Sequence, residues 1–156
     1  MVLLAQGVPF IHMGQEFYRT KQGEENSYKS SDAINRIDWS LIDKHQADIQ
    51  KFKTLIRLRK SLTCLRLPTA SAIKKNGFVS SSEHGTTVLE VCRDKSHTIV
   101  IFKPRNETET LSFDDPFTML YSSRAHEDRQ GIRTLTLDAV SVTVLVKSKK
   151  ESENHG

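Results

Sequence analysis

Gly7-Val8-Pro9-Phe10-Ile11-His12-Met13-Gly14 is the stretch on which the reading of the fold turns. Val8 to Met13 is apolar on both faces and bounded by glycines, the pattern of a parallel strand covered on either side. Such a strand takes its neighbours from βα units, and Met1 to Gln6, the residues ahead of it, read only as the last turn or so of a helix. The expectation is a chain whose first residues lie in mid-fold.

Downstream, Phe17 to Ser40 is polar and shows neither helical nor alternating periodicity, so it reads as a long loop. Loops of that length inside compact domains usually line a site. From Lys44 to Ser61 the apolar residues Ile49, Phe52, Leu55 and Ile56 recur at helical spacing, and Leu58 and Leu62 extend the face. After Leu67-Pro68 the period changes to that of strands: Thr69 to Ile73, Phe78 to Ser80, Thr86 to Cys92, Thr98 to Phe102, Thr108 to Phe113, Thr118 to Tyr121, Arg133 to Leu137 and Val140 to Val146. Asn76-Gly77 reads as a hairpin turn, and Asp114-Asp115-Pro116 as another connection. A run of strands without a helix predicts an antiparallel sandwich. The chain is therefore expected to be α+β.

The 156 residues fall well short of the roughly 250 of a complete (β/α)₈ barrel. A net charge of +4 comes from basic residues scattered among acidic ones, which argues against a nucleic-acid partner. No run approaches 18 apolar residues, so no membrane partner is expected, and the opening MVLLAQGVPFIHMG lacks the basic leading region of a secretory signal. That leans towards the cytoplasm without fixing the compartment. Cys64 and Cys92 have no metal-type spacing and sit in apolar contexts, as small buried thiols do. His84, His97 and His126 fall in separate turns and strands, so neither a metal site nor a cofactor is expected.

The segment Gly7 to Trp39, GVPFIHMGQEFYRTKQGEENSYKSSDAINRIDW, resembles the eighth barrel strand and following loop of type I pullulanases, debranching glycoside hydrolases of the alpha-amylase clan. Gly14-Gln15-Glu16 is similar to the Gly-x-Glu element of the whole clan. The order Arg19-Thr20-Lys21, Asn26-Ser27-Tyr28, Asp32, Asn35 and Asp38-Trp39 is similar to the pullulanases in particular, and the Asn-rich element of isoamylases is missing. The resemblance implies that residues 1–66 are the end of a (β/α)₈ barrel, with its eighth strand, substrate-side loop and eighth helix. It further implies a C-terminal antiparallel β-sandwich over 67–147 and a disordered tail over 148–156. The whole enzyme would hydrolyse α-1,6-glucosidic bonds in pullulan and limit dextrins. The family's catalytic carboxylates would precede Met1, so this chain is expected to carry no catalytic residue, to be inactive alone, and to work with an α-glucan and the remainder of the barrel as partners.

Asp32 and Arg36 fall where the family places a carboxylate and a guanidinium that bind sugar hydroxyls. An acceptor and a planar donor four positions apart suit vicinal hydroxyls, since charge-assisted hydrogen bonds are about twice as strong as neutral ones. They can equally pair with each other to hold the loop. Glu16 is expected as a buried carboxylate bonded to loop amides rather than an acid/base. His12 can meet a sugar or serve structure, and Tyr28 and Trp39 can stack on sugar rings or plug a barrel wall. The alternative reading is a non-catalytic carbohydrate-binding or structural sandwich. Its candidate aromatics Phe78, Phe102, Phe113, Phe117 and Tyr121 mostly read as core.

Overall fold

A computed structural model describes residues 1–93, 96–124 and 129–147; the expected tail over 148–156 and His126 lie outside the described residues. The chain divides into two compact units. One consists of Val2 and Val8–Leu62, the other of Met1, Leu3–Gly7 and everything from Thr63 onward.

In the first unit the expected strand does not form: residues 8–13 are irregular, with Val8 97% and Phe10 84% exposed. A parallel strand exists only through its ladder partners, and the described residues pair no strand with these backbone groups. The loop behind it is stitched by short turns at Gln15–Phe17 and Ser27–Lys29 and by α1 (Asp32–Asn35). α2 (Leu41–Lys44) leads into α3 (Gln46–Ser61), the helix that the periodicity of Ile49, Phe52, Leu55 and Ile56 predicts. Arg59 and Lys60 lie in its last turn, where the helix dipole favours cations.

The second unit departs from the expected strands at its first one. Residues 70–76 form a helix, α4 (Ala70–Asn76), because the Thr69 hydroxyl accepts the Ala72 N–H at 3.1 Å and caps it. Asn76-Gly77 is accordingly the end of that helix and not a hairpin turn; Asn76 Nδ2 donates back to the Ala72 carbonyl at 2.7 Å. The strands are β1 (Gly77–Ser81), β2 (Thr87–Arg93), β3 (Ser96–Lys103), β4 (Glu109–Ser122), β5 (Ile132–Leu137) and β6 (Ser141–Lys147).

These strands make one antiparallel sheet in the order β1-β2-β3-β6-β4-β5, not the two sheets of a sandwich. The two runs expected on either side of Asp114-Asp115-Pro116 are a single long strand. Its first half pairs with β5 and its second with β6, and the register breaks between Ser112 and Phe117. Proline is tolerated there because no ladder bond is asked of it. Arg133 Nη1 donates to the Asp114 carbonyl in that stretch.

A single buried cluster joins Ile99 and Ile101 of β3, Leu145 of β6, Phe117 and Met119 of β4, and Leu135 and Leu137 of β5. In a flat sheet β3 and β5, three strand spacings apart, would be about 14 Å from each other. The intervening strands β6 and β4 carry the cluster from one to the other through Leu145, Phe117 and Met119. On the opposite face Val91, Val100 and Val144 are fully buried. The turn Thr63–Arg66 lies against β2, and the Cys64 thiol donates to the Thr98 hydroxyl at 3.4 Å. Gln6 ties Leu3–Gly7 to this turn by donating to the Cys64 carbonyl at 2.6 Å.

Candidate functional site

The loop of the first unit is organised around Asn35. Its amide nitrogen donates to the carbonyls of Ser27 and Ser30 at 2.8 and 2.7 Å, and its amide oxygen accepts from Lys21 Nζ at 2.6 Å. Arg19 donates to the Asn35 carbonyl through Nη2. Gly14 has φ +87, and a Cβ there would lie 2.6 Å from the Arg19 Cβ, so glycine is required for Arg19 to fold back. Asp38 accepts from the Ser40 backbone N–H at 3.0 Å and from its hydroxyl at 2.6 Å. These bonds, with Arg36 nearby, hold its carboxyl below the usual range.

A cavity of about 260 Å³ opens among Arg19, Thr20, Gln22, Ala33, Ile34, Arg36, Asp38 and Leu41. Arg36 is exposed and lines it; Asp32 is exposed one turn earlier on α1 and does not. The two side chains form no ion pair, and their only direct bond is the helical one from Arg36 N–H to the Asp32 carbonyl at 2.9 Å. Arg19 Nε is buried and without a partner, which leaves an N–H unused at the cavity wall. In the sequence Arg19 and Asn35 stand out only as part of a resemblance. Their physical roles, an unused donor and a hub of loop carbonyls, depend on chain reversals that no local pattern displays.

Other expectations fare unevenly. Glu16 is half-buried and makes no hydrogen bond among the described residues, so it is not tied to loop amides as expected. His12 is exposed. Trp39 is 62% exposed, with its ring 6.1 Å from that of Phe17, and Tyr28 lies open with Lys29 Nζ 5.4 Å from its ring centre. The Tyr18 hydroxyl donates to Asp48 at 3.1 Å, which raises the phenol's pKa and, after the bond from Lys51, lowers that of the carboxyl. Of the five aromatics that an exposed carbohydrate platform needs, Phe102 and Phe117 are buried, Phe113 and Tyr121 are half-buried and only Phe78 is exposed.

The second unit gathers a different set. Glu90, Cys92 and His97 offer ligand atoms that all lie within 4.8 Å of one another. His97 Nε2 is 2.6 Å from Glu90 Oε1, an ion-pair contact without a hydrogen bond, and Cys92 Sγ is 3.8 Å from the same carboxylate. Burial, and then the Glu90 charge, push the Cys92 thiol up. Deeper in the sheet Glu109 accepts from the Thr86 hydroxyl, and that bond is the largest influence holding its carboxyl below the usual range. Lys103 Nζ and Thr143 Oγ1 are buried there without a hydrogen-bond partner. No helix among the described residues is long and apolar enough to cross a membrane.

No family model matches the chain. A pullulanase of Bacillus subtilis is 53% identical over 76 residues, which is 49% of this chain and 11% of that protein. The crystal structure of the type I pullulanase of Bacillus subtilis complexed with maltose superposes with a TM-score of 0.81 and 32% identity, over 94% of this chain and 22% of the other. A pullulanase from an Anoxybacillus species complexed with maltotetraose gives 0.79 and 27%, again over 94% and 22%. The chain thus spans about a tenth of the length of the curated relatives and a fifth of the solved structures. In sequence and in fold it is related to the type I pullulanases, and it corresponds to a segment of them.

Proposed function

We propose that this chain acts as the C-terminal portion of a pullulanase-type debranching enzyme that hydrolyses α-1,6-glucosidic bonds in pullulan and limit dextrins. The observation that carries the reading is the superposition on sugar-bound pullulanases over 94% of the chain. Retaining hydrolysis needs a nucleophile and an acid/base about 5 to 5.5 Å apart, and we assign neither to this chain. Its contribution is a wall of the substrate cleft, made by the loop at 17–40, and a β unit that supports the barrel. Asp32 and Arg36 bind sugar hydroxyls. Their lack of an ion pair supports this over a purely structural role, since both charged groups keep their hydrogen-bonding capacity for a ligand.

The experiment is a graft. The segment of the Bacillus subtilis pullulanase that matches this chain is replaced by it, and reducing-sugar release from pullulan is compared with that of the enzyme lacking the segment and of this chain alone. Activity in the graft and none in either control is expected. Pullulan hydrolysis by the chain alone, persisting through purification, would refute the assignment of catalysis to residues outside it.

A further inference from the structure

The β2–β3 hairpin brings together a donor set that the sequence spacing hides. Cys92 and His97 are directly opposed in the ladder, and Glu90 lies two residues before Cys92 on the same face, so pairing alone aligns the three side chains. Carboxylate, thiolate and imidazole together are the ligands of zinc and its borderline-soft neighbours, and not of magnesium or calcium, which take oxygen alone.

We infer that Glu90, Cys92 and His97 form a binding site for a divalent metal ion of the zinc class. Zinc at its usual bond lengths of about 2.0 to 2.3 Å sets ligand atoms roughly 3.3 to 3.7 Å apart around a tetrahedron. The Cys92 to Glu90 distance of 3.8 Å already matches. Glu90 and His97, now 2.6 Å apart, must separate by about 1 Å, and the remaining pair, Cys92 and His97, lies within 4.8 Å, so the closing movement is of similar size. Side-chain torsions supply such shifts while the ladder stays intact.

The surroundings fit an ion better than a simple ion pair. His97 Nε2 is buried and without a hydrogen bond, and the Phe117 ring meets the imidazole edge-on at 5.0 Å, which fixes its orientation. A cavity of about 230 Å³ runs from Glu90 and His97 to Ser112 and Asp115, leaving room for a water or carboxylate as fourth ligand. On binding, the Cys92 thiol gives its proton to solvent and the imidazole coordinates as the neutral ring.

The test uses the full chain, reduced and stripped of metal, titrated with Co²⁺. A saturable thiolate-to-cobalt charge-transfer band in the near ultraviolet is expected, displaced by zinc. Cys92→Ser should abolish it, His97→Gln and Glu90→Gln should each weaken affinity by about 100-fold or more, and Cys64→Ser should leave it unchanged. Zinc should also protect Cys92 from alkylation by iodoacetamide in the wild-type chain, a readout independent of how the variants fold. Absence of the band together with absence of protection would overturn the site. So would a band that survives Cys92→Ser, or affinity that ignores both His97→Gln and Glu90→Gln, since a lone thiol would then account for the signal.

Discussion

Replacing Asp32 and Arg36, singly and together, in the grafted enzyme separates a substrate grip from a loop brace. Both side chains are exposed and unpaired, so Asp32→Ala and Arg36→Ala should each lower stability by no more than about 0.5 kcal/mol. If each makes one or two charge-assisted hydrogen bonds to sugar that persist in the transition state, kcat/KM on pullulan should fall by about 1.5 to 3 kcal/mol, or about 10- to 150-fold. The melting temperatures should be additive, because no shared partner couples the side chains in the free protein. Activity should not be additive if one sugar residue spans both groups. Thermal melts and steady-state kinetics on the four proteins give the two cycles. Near-native kcat/KM in both single variants would refute the grip. A clear loss of stability in each single variant, recovered in the double, would show a hidden pair that braces the loop.

In the β unit, Leu145→Ala removes a fully buried side chain between Ile99 and Met119; three carbons at about 0.8 kcal/mol each plus a cavity term give about 3 to 4 kcal/mol, whereas exposed Val79→Ala should cost under about 0.5 kcal/mol, both read from urea unfolding. Because the folded pKa of Glu109 is lowered, its contribution is present above the unfolded value of about 4.3 and disappears as pH falls through the folded one. Glu109→Gln should therefore flatten the fall in melting temperature below about pH 4, and an unchanged acid slope would contradict the Thr86 assignment. Asn35→Ala frees Lys21 and two loop carbonyls at once and should raise the rate of chymotryptic cleavage at Tyr28 by about tenfold or more.

How much of this was legible in the sequence depended on the range of the interactions involved. The helix Gln46–Ser61 was visible because its apolar face repeats within the chain, and β2, β3 and β6 because runs such as Thr98 to Phe102 are dense in β-branched residues. Residues 69–73 carry both signals: Thr69 is a good cap, and Ala70, Ala72 and Lys74 favour helix, while the following Asn-Gly mimics the turn of a hairpin. The apolar run at 8–13 fits a strand whose partners are not local, so periodicity could not tell a formed strand from an unpaired one. The grouping of Glu90, Cys92 and His97 requires the register of the β2–β3 ladder. Spacing along the chain carries no trace of it.

β6 is the latest of the six strands in the chain, yet it lies between β3 and β4 and is bonded to both. A ribosome therefore releases β1 to β3 and β4 to β5 as two pieces with open edges before the strand that joins them exists. Most of the core, including the meeting of Ile99 with Met119 across Leu145, waits for that strand. Folding of this unit is accordingly completed only once β6 has emerged, and the long-range β3–β6 pairing on which it depends is slow to form. The interval before β6 docks is when the nascent chain depends most on chaperones, and a premature stop ahead of Ser141 would leave two sheet fragments that nothing holds together.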